Sequence, residues 1–311
     1  MADSSSERVT ERKRHSFLVD VGIRLVKEKP LGVIGAVITL ILLFTGIFAD
    51  LMAPYGMNEM NMADLLSPPS ARYWLGTDNL GRDILSRVIF GARISVIVGL
   101  SAATICTIIA TVVGTISGYI GGTFDLILQR FVDGWMCMPG LILMLVIISI
   151  TGPGLVPVIV VLGIRYGVTA SRIVRSAVLQ IKENVYVEAA RAVGCSTSRV
   201  LIRHILPNVM APIIILFTTR LPIMILSEAS LSFLGYGIPP PNASWGGMLS
   251  GQGRAYMFLA PWMAIWPGLA LSIVVYGVNM FGDAVRDILD PRLRGGLGRY
   301  GLKKRSRSNK K

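Results

Sequence analysis

Residues 182–194 read KENVYVEAARAVG and are the most informative segment of this chain. Asn184 is suited to cap the start of a helix, and Gly194 is suited to end one in the left-handed conformation. The residues between them predict a short helix of about two and a half turns. Two adjacent small residues, Ala189 and Ala190, would let another backbone approach this helix closely.

A second short helix is predicted directly after the first. Ser196 or Thr197 can cap it, and it is expected to run through Arg199 to Leu206. Pro207 then stands at the start of a long apolar segment. The sequence therefore predicts a helix–turn–helix across one end of a helical bundle. By periodicity alone, an ordinary amphipathic helix pair at a membrane interface is the alternative.

Apolar residues dominate the chain on both sides of this loop. Of the 311 residues, 52% are hydrophobic and 16% are charged, against roughly 25% charged residues in an average soluble protein. A soluble fold of this size cannot bury so much apolar surface, and disordered chains lack it, so both classes are excluded. The composition predicts an all-α integral membrane protein.

Six apolar segments are long enough to cross a bilayer as helices, which takes about 20 residues each. A turn at Gly152-Pro153-Gly154 divides the longest uncharged run into two of them. The glycines Gly114 and Gly118 either allow close helix packing or reflect the general frequency of glycine in membrane helices. The predicted spans cover residues 31–49, 94–117, 131–150, 155–174, 206–228 and 258–282.

The distribution of Lys and Arg predicts the orientation. Lys and Arg number seven in residues 1–30, seven in 165–205 and ten in 283–311, but four in 50–93 and one in 229–257. Because these residues are enriched in cytoplasmic loops, both termini and the 175–205 loop are expected in the cytoplasm.

The spans and charges together divide the chain into four predicted parts. These are a cytoplasmic N-terminal tail (1–30), a first transmembrane helix with an extracytoplasmic segment (31–93), a core of five transmembrane helices that contains the loop 175–205 (94–283), and a basic cytoplasmic tail (284–311).

The loop carries a resemblance to a known family. Glu188-Ala189-Ala190, then Gly194, then Leu206-Pro207 resembles the EAA signature of ABC-importer permease subunits. His204 departs from it, standing where the family usually has Ile. Further patches resemble the dipeptide, oligopeptide and nickel branch, and the N-terminal part resembles the extension of its C permeases. These patches are residues 75–87, 231–246 and 282–294.

The resemblance implies a type I ABC-importer permease fold of six transmembrane helices with a cytoplasmic coupling helix. Glu188, Ala189, Ala190 and Gly194 would form the coupling helix that docks on an ATPase subunit. The implied partners are a second homologous permease, two cytoplasmic ATPase subunits, an extracytoplasmic solute-binding protein and membrane lipid. The implied location is the plasma (inner) membrane of a bacterium or archaeon. The implied cargo is di- or oligopeptides or a related solute, such as a nickel chelate or glutathione.

Two arginines, Arg165 and Arg220, fall within predicted spans. A buried Arg at the centre of a membrane helix costs roughly 2.5–3.5 kcal/mol on insertion scales, so each should face the bundle or an aqueous cavity. One interpretation is a cationic lining of the transport pathway that attracts a peptide carboxylate. The other is structural, either an ion pair such as Arg220 with Glu228 or extension of the side chain to the interface.

The sequence gives no sign of an enzyme. It contains no Gly-Lys dipeptide and so no Walker A loop. ATP and Mg²⁺ are therefore expected on partner ATPase subunits, with no cofactor, catalytic residue or metal site in this chain. The basic tail is expected to contact anionic lipid rather than nucleic acid. The alternative function is an autonomous ion-coupled secondary transporter, but the predicted spans lack the central Asp or Glu that such proteins use.

Overall fold

The computed structural model describes residues 25, 26 and 28–289. Most of the predicted tails, 1–30 and 284–311, therefore lie outside the described residues. Within the described part, all regular elements are helical and no strand is formed. The predicted all-α class is confirmed.

The helices follow one another with short connections over most of the described chain. After the short helix Thr197–Val200 the backbone passes through a π turn (Leu201–Ile205) and a 3₁₀ turn (Leu206–Val209). Another 3₁₀ turn covers Met62–Asp64. The α-helices are α1 (Pro30–Ile47), α2 (Ala49–Met52), α3 (Ile84–Ile120), α4 (Gly122–Cys137), α5 (Gly140–Thr151), α6 (Leu155–Lys182), α7 (Val185–Ala192), α8 (Thr197–Val200), α9 (Met210–Phe233), α10 (Trp245–Leu249), α11 (Gly251–Ala255) and α12 (Trp262–Leu289).

The six predicted spans all have counterparts in the described residues. Five helical stretches are long and apolar enough to cross a membrane, namely α1, α3, α6, the run that ends with α9, and α12. The bent pair α4–α5 is a sixth if it counts as one span.

The second span is much longer than the predicted 94–117. Asp83 caps α3, because its Oδ2 accepts a hydrogen bond of 2.7 Å from the amide of Ser86. The predicted boundary at residues 93 and 94 therefore lies inside this helix of 37 residues. The charged side chains near its start kept its first turns out of the predicted apolar span. One of them, Arg93, pairs with Asp50 at 2.7 Å and lowers the pKa of that carboxyl through this hydrogen bond.

The third predicted span, 131–150, is not one straight helix. Helices α4 and α5 meet at an angle of 89°. Pro139 has no amide hydrogen to continue α4, and it disfavours helical geometry in the residue before it. Accordingly, Met138 has an extended backbone, with φ −79° and ψ 129°. The expectation of a continuous helix here was wrong.

The centre of the bundle is the packing of α3 against α6. A Cβ added at Gly114 would lie 2.8 Å from Val174, and one added at Gly118 would lie 3.0 Å from Val178. Contacts this short leave no room for a larger side chain. Close packing at both glycines, one of the two interpretations of their spacing, is therefore confirmed.

The two ends of the bundle carry different structures. One end carries α7 and α8. The opposite end carries the segment between α2 and α3 together with α10 and α11. There the indole nitrogens of Trp245 and Trp262 donate to the carbonyls of Val88 (2.9 Å) and Thr77 (3.1 Å). These two bonds join the start of α3, and the segment before it, to the C-terminal part of the chain.

Candidate functional site

Helix α7 is the short helix predicted in residues 184–194. Asn184 precedes it, but its side-chain amide donates to the carbonyls of Gln180 and Ile181 and so caps the end of α6 instead. Gly194 follows α7 with a φ of +84°, and the next amide donates back to Ala190 O at 3.1 Å. Gly194 thus makes the predicted turn, in a conformation that favours glycine.

The residues of the predicted docking site face in different directions. Glu188 and Ala189 are exposed, whereas Ala190 is half-buried and packs against the main core. Their exposed neighbours include two large apolar side chains, Val185 at 79% and Val193 at 84% exposure. The exposed surface of α7 and its turn therefore combines apolar side chains with one carboxylate, of Glu188, and one guanidinium, of Arg191.

The loop is firmly seated on the bundle. Val187 of α7 is fully buried, as are Val200, Ile205 and Val209 of the segment that leads into α9. All four belong to the core cluster that also holds α3, α6 and α9 together. Movement of α7 is therefore coupled to these long helices through apolar contacts.

Tyr119, near the end of α3, makes a second connection to this loop. The Nζ atom of Lys182 donates to the Tyr119 carbonyl at 2.6 Å. The charged groups of Lys182 and Arg191 lie 5.8 and 4.9 Å from the centre of the Tyr119 ring, within cation–π range. This joint could not be predicted from the sequence, because no local pattern connects residues 119 and 191.

Two ion pairs hold α4 against α6. The carboxylate of Asp125 receives two hydrogen bonds from Arg175, at 2.6 and 2.5 Å, and another from Ser117. Asp133 pairs with Arg172. These pairs could not be predicted from the sequence, because the two residues of each pair lie about 40 to 50 positions apart.

Arg165 lies beside the bend between α4 and α5. Its Nη1 donates to Thr169 Oγ1 at 2.7 Å, and its carbonyl accepts a bond of 3.3 Å from the Trp135 indole. Its guanidinium packs against Gly140, the first residue of α5. These contacts favour the structural interpretation of Arg165.

Arg220 has different surroundings. No ion pair joins it to Glu228, whose Oε1 instead accepts a hydrogen bond of 2.7 Å from Ser232. Glu228 is fully buried. The predicted spans place it at the end of the fifth, but α9 continues five residues beyond it, so this span does contain an interior carboxyl.

A groove lies on the side of the bundle where α6, α9 and α12 meet, and its volume is about 750 Å³. Most of its lining is apolar. The polar side chains that line it are Gln180, Asn208, Thr219, Arg220 and Arg286.

The described residues contain no cluster of three or more His, Cys, Asp or Glu side chains that could hold a metal ion. The three cysteines are unpaired.

Comparison with known proteins identifies the family of this architecture. Residues 110–295 match the family described as binding-protein-dependent transport system inner membrane component. Residues 16–69 match the N-terminal transmembrane domain of oligopeptide transport permease C.

Relatives resemble the chain along most of its length. The oligopeptide transport system permease protein OppC of Bacillus subtilis (strain 168) is 37% identical over 293 residues, which is 94% of this chain and 95% of the relative. The glutathione transport system permease protein GsiD of Escherichia coli O6:K15:H31 is 39% identical over 273 residues, 88% of this chain and 90% of the relative.

A solved structure supports the fold. The chain resembles a subunit of the MetNI methionine ABC transporter in an inward-facing conformation with a TM-score of 0.54 and 19% identity, over 66% of this chain and 96% of the other. With these matches, the chain belongs to the family of binding-protein-dependent transport system inner membrane components, the non-enzymatic permease subunits of ABC importers.

Proposed function

We propose that this chain and a second homologous permease enclose the pathway of an ATP-driven importer for di- or oligopeptides or a related solute such as glutathione. Two cytoplasmic ATPase subunits would bind ATP and Mg²⁺, and an extracytoplasmic binding protein would deliver the solute. The substrate class follows from the relatives, which transport oligopeptides and glutathione.

One observation carries the assignment of α7 as the coupling helix. Val185 and Val193 are 79% and 84% exposed at the end of the bundle, on a loop whose other face is fully buried. Exposed apolar side chains grouped on a seated helix are typical of a surface that a partner covers. Glu188 would add a polar contact, and Ala189 would permit close approach of the ATPase.

The contacts of α7 support a mechanism for coupling. ATP binding would close the ATPase pair and displace the α7 helix docked in each subunit. The buried side chain of Val187 and the joint between Arg191 and Tyr119 would pass this displacement to α6 and α3. The bundle would then change from inward-open to outward-open as packed rigid bodies, and hydrolysis would reset it.

The proposed orientation places α7 and both termini in the cytoplasm of a bacterial or archaeal cell, with the protein in the plasma (inner) membrane. The excess of Lys and Arg near α7 supports this orientation, as does their scarcity in residues 229–257. Anionic lipid on the cytoplasmic face would contact the basic tail.

Co-purification from the native membrane tests the proposal. The tagged chain should retain a second permease and an ATPase. Hydrolysis by this complex should rise when a peptide-loaded binding protein is added. A matched sample with Val185→Ser and Val193→Ser should keep the second permease but lose most of the ATPase, because the apolar docking surface is removed.

The same experiment separates the alternative function. A complex without an ATPase that still transports solute when driven by an ion gradient would overturn the proposal. It would instead favour an ion-coupled transporter, with Glu228 as the carboxyl to investigate first.

A further inference from the structure

Arg220 lies near the middle of α9, in a helical stretch long and apolar enough to cross a membrane. A guanidinium in this position needs water or a partner group, because hydrocarbon solvates it poorly. The side chain is half-buried and lines the 750 Å³ groove between α6 and α9. Part of this side chain therefore borders an open cavity.

The described residues supply no ion-pair partner for this charge. Within residues 28–289, the acidic side chains that form ion pairs do so with other basic residues, and none pairs with Arg220. The guanidinium lies 5.8 Å from the centre of the Tyr166 ring. The Tyr166 hydroxyl is within 2.9 Å of Ser227 Oγ, which holds the ring in place.

The groove has the size and composition of a small-molecule site. Its volume falls in the roughly 300–1,000 Å³ range of such sites, which are mostly apolar with a few polar groups. Its lining contains two guanidiniums, of Arg220 and Arg286, and no carboxylate. An anionic solute would therefore meet two positive charges and no negative charge among the side chains that line it.

We propose that this groove is a transient binding site for a carboxylate-bearing peptide, in which the Arg220 guanidinium contacts the free carboxylate. The planar guanidinium matches a carboxylate with two parallel hydrogen bonds. The inference rests on the proposed function and goes further by giving the site a preference for substrate charge. Peptides with a free C-terminal carboxylate would pass more readily than the corresponding amides.

Uptake by the purified importer in proteoliposomes tests this preference. A peptide and its C-terminal amide are compared at concentrations that saturate the binding protein. Arg220→Gln should lower uptake of the free acid relative to the amide by about tenfold, as the loss of a charged hydrogen bond would. Arg220→Lys should restore part of the difference. Arg254→Gln, an exposed residue outside the groove, is the control and should behave as wild type.

A second readout does not depend on transport. Thr219 lines the same groove, so Thr219→Cys is introduced after Cys106, Cys137 and Cys195 are replaced by Ser. Its thiol should react faster with a negatively charged methanethiosulfonate than with a positively charged one. Arg220→Gln should remove this preference.

The two readouts separate the possible failures. Equal loss of acid and amide uptake in Arg220→Gln, or no charge preference at Thr219→Cys, would overturn the inference. Loss of the second permease from the Arg220→Gln complex would overturn it as well, because Arg220 would then pair with that subunit. If wild type shows no ATP-dependent uptake, the proposed function fails, and thiol modification alone decides the inference.

Discussion

Gly194 and Gly152 both have a positive φ, of +84° and +85°, at opposite ends of the bundle. No atom lies near the position of an added Cβ at either residue. A side chain at either position would cost about 1–3 kcal/mol in backbone strain. Gly152 serves as a comparison for Gly194, because only Gly194 adjoins α7.

We expect both Gly194→Val and Gly152→Val to lower thermal stability, because valine rarely adopts a positive φ. Only Gly194→Val should uncouple ATP hydrolysis from uptake, because it distorts the turn after α7. The ratio of solute imported to ATP hydrolysed measures this difference. Wild-type coupling in Gly194→Val would contradict the coupling role of the loop.

The neighbouring alanines should respond differently to enlargement. Ala189 is exposed and Ala190 is half-buried against the core. Ala189→Arg should release the ATPase subunit without changing the melting temperature of the permease pair. Ala190→Leu should lower stability by about 1–3 kcal/mol, the usual cost of overpacking. Thermal denaturation and co-purification distinguish the two outcomes, and ATPase retention in Ala189→Arg would count against docking at this face.

Residue-scale features were predictable where the signal is local. The turn at Gly194 follows from a glycine that ends a short helical pattern. The side-chain bonds of Asn184 could not be predicted, because the same amide can cap the helix on either side of it. The orientation of Ala190 depends on Val187 and the core beneath it, which no local pattern encodes.

At the scale of elements, the joint between Arg191 of α7 and Tyr119 of α3 can be tested directly. Tyr119→Phe keeps the ring that faces Arg191, so it should transport normally. Tyr119→Leu loses a cation–π contact worth about 0.5–1 kcal/mol at an exposed site, and it should lower the number of solutes imported per ATP hydrolysed. The Lys182 bond should persist in both variants, because it uses the Tyr119 carbonyl. Equal coupling in the two variants would exclude a role for the ring.

The helices themselves were predicted more accurately than their bends and ends. A long apolar run indicates a span, whatever its neighbours do. The bend at Pro139 was missed because length and hydropathy alone defined the 131–150 span, although proline itself is a local signal. The early start of α3 was missed because Arg87 and Arg93 interrupt the apolar pattern, and their partners lie in the segment before the helix.

At the scale of the whole molecule, the orientation in the membrane is a direct prediction. Ala71 and Ser198 are exposed at opposite ends of the bundle. In intact cells, or in spheroplasts if an outer membrane is present, a membrane-impermeant maleimide should label Ala71→Cys, but Ser198→Cys only after the membrane is opened. The native cysteines are replaced beforehand. The reverse labelling pattern would overturn the proposed cytoplasmic position of α7.

The family could be predicted from the sequence because its signature loop is short and local. The groove could not, because its lining comes from three helices separated by many residues along the chain. The Arg residues of the spans illustrate this limit. Arg165 and Arg220 look alike in the sequence, yet Arg165 packs beside a helix bend and Arg220 borders an open groove.

The uninterrupted length of α3 has a mechanical consequence. At 1.5 Å per residue, its 37 residues extend about 55 Å, more than the hydrocarbon thickness of a bilayer. Tyr119 stands at one extremity, and Val88, held by the Trp245 indole, stands at the other. A continuous helix attached at both ends would transmit a displacement along its own backbone. A push at the proposed ATPase-docking end would therefore reach the opposite end of the bundle without a relay of intermediate side chains.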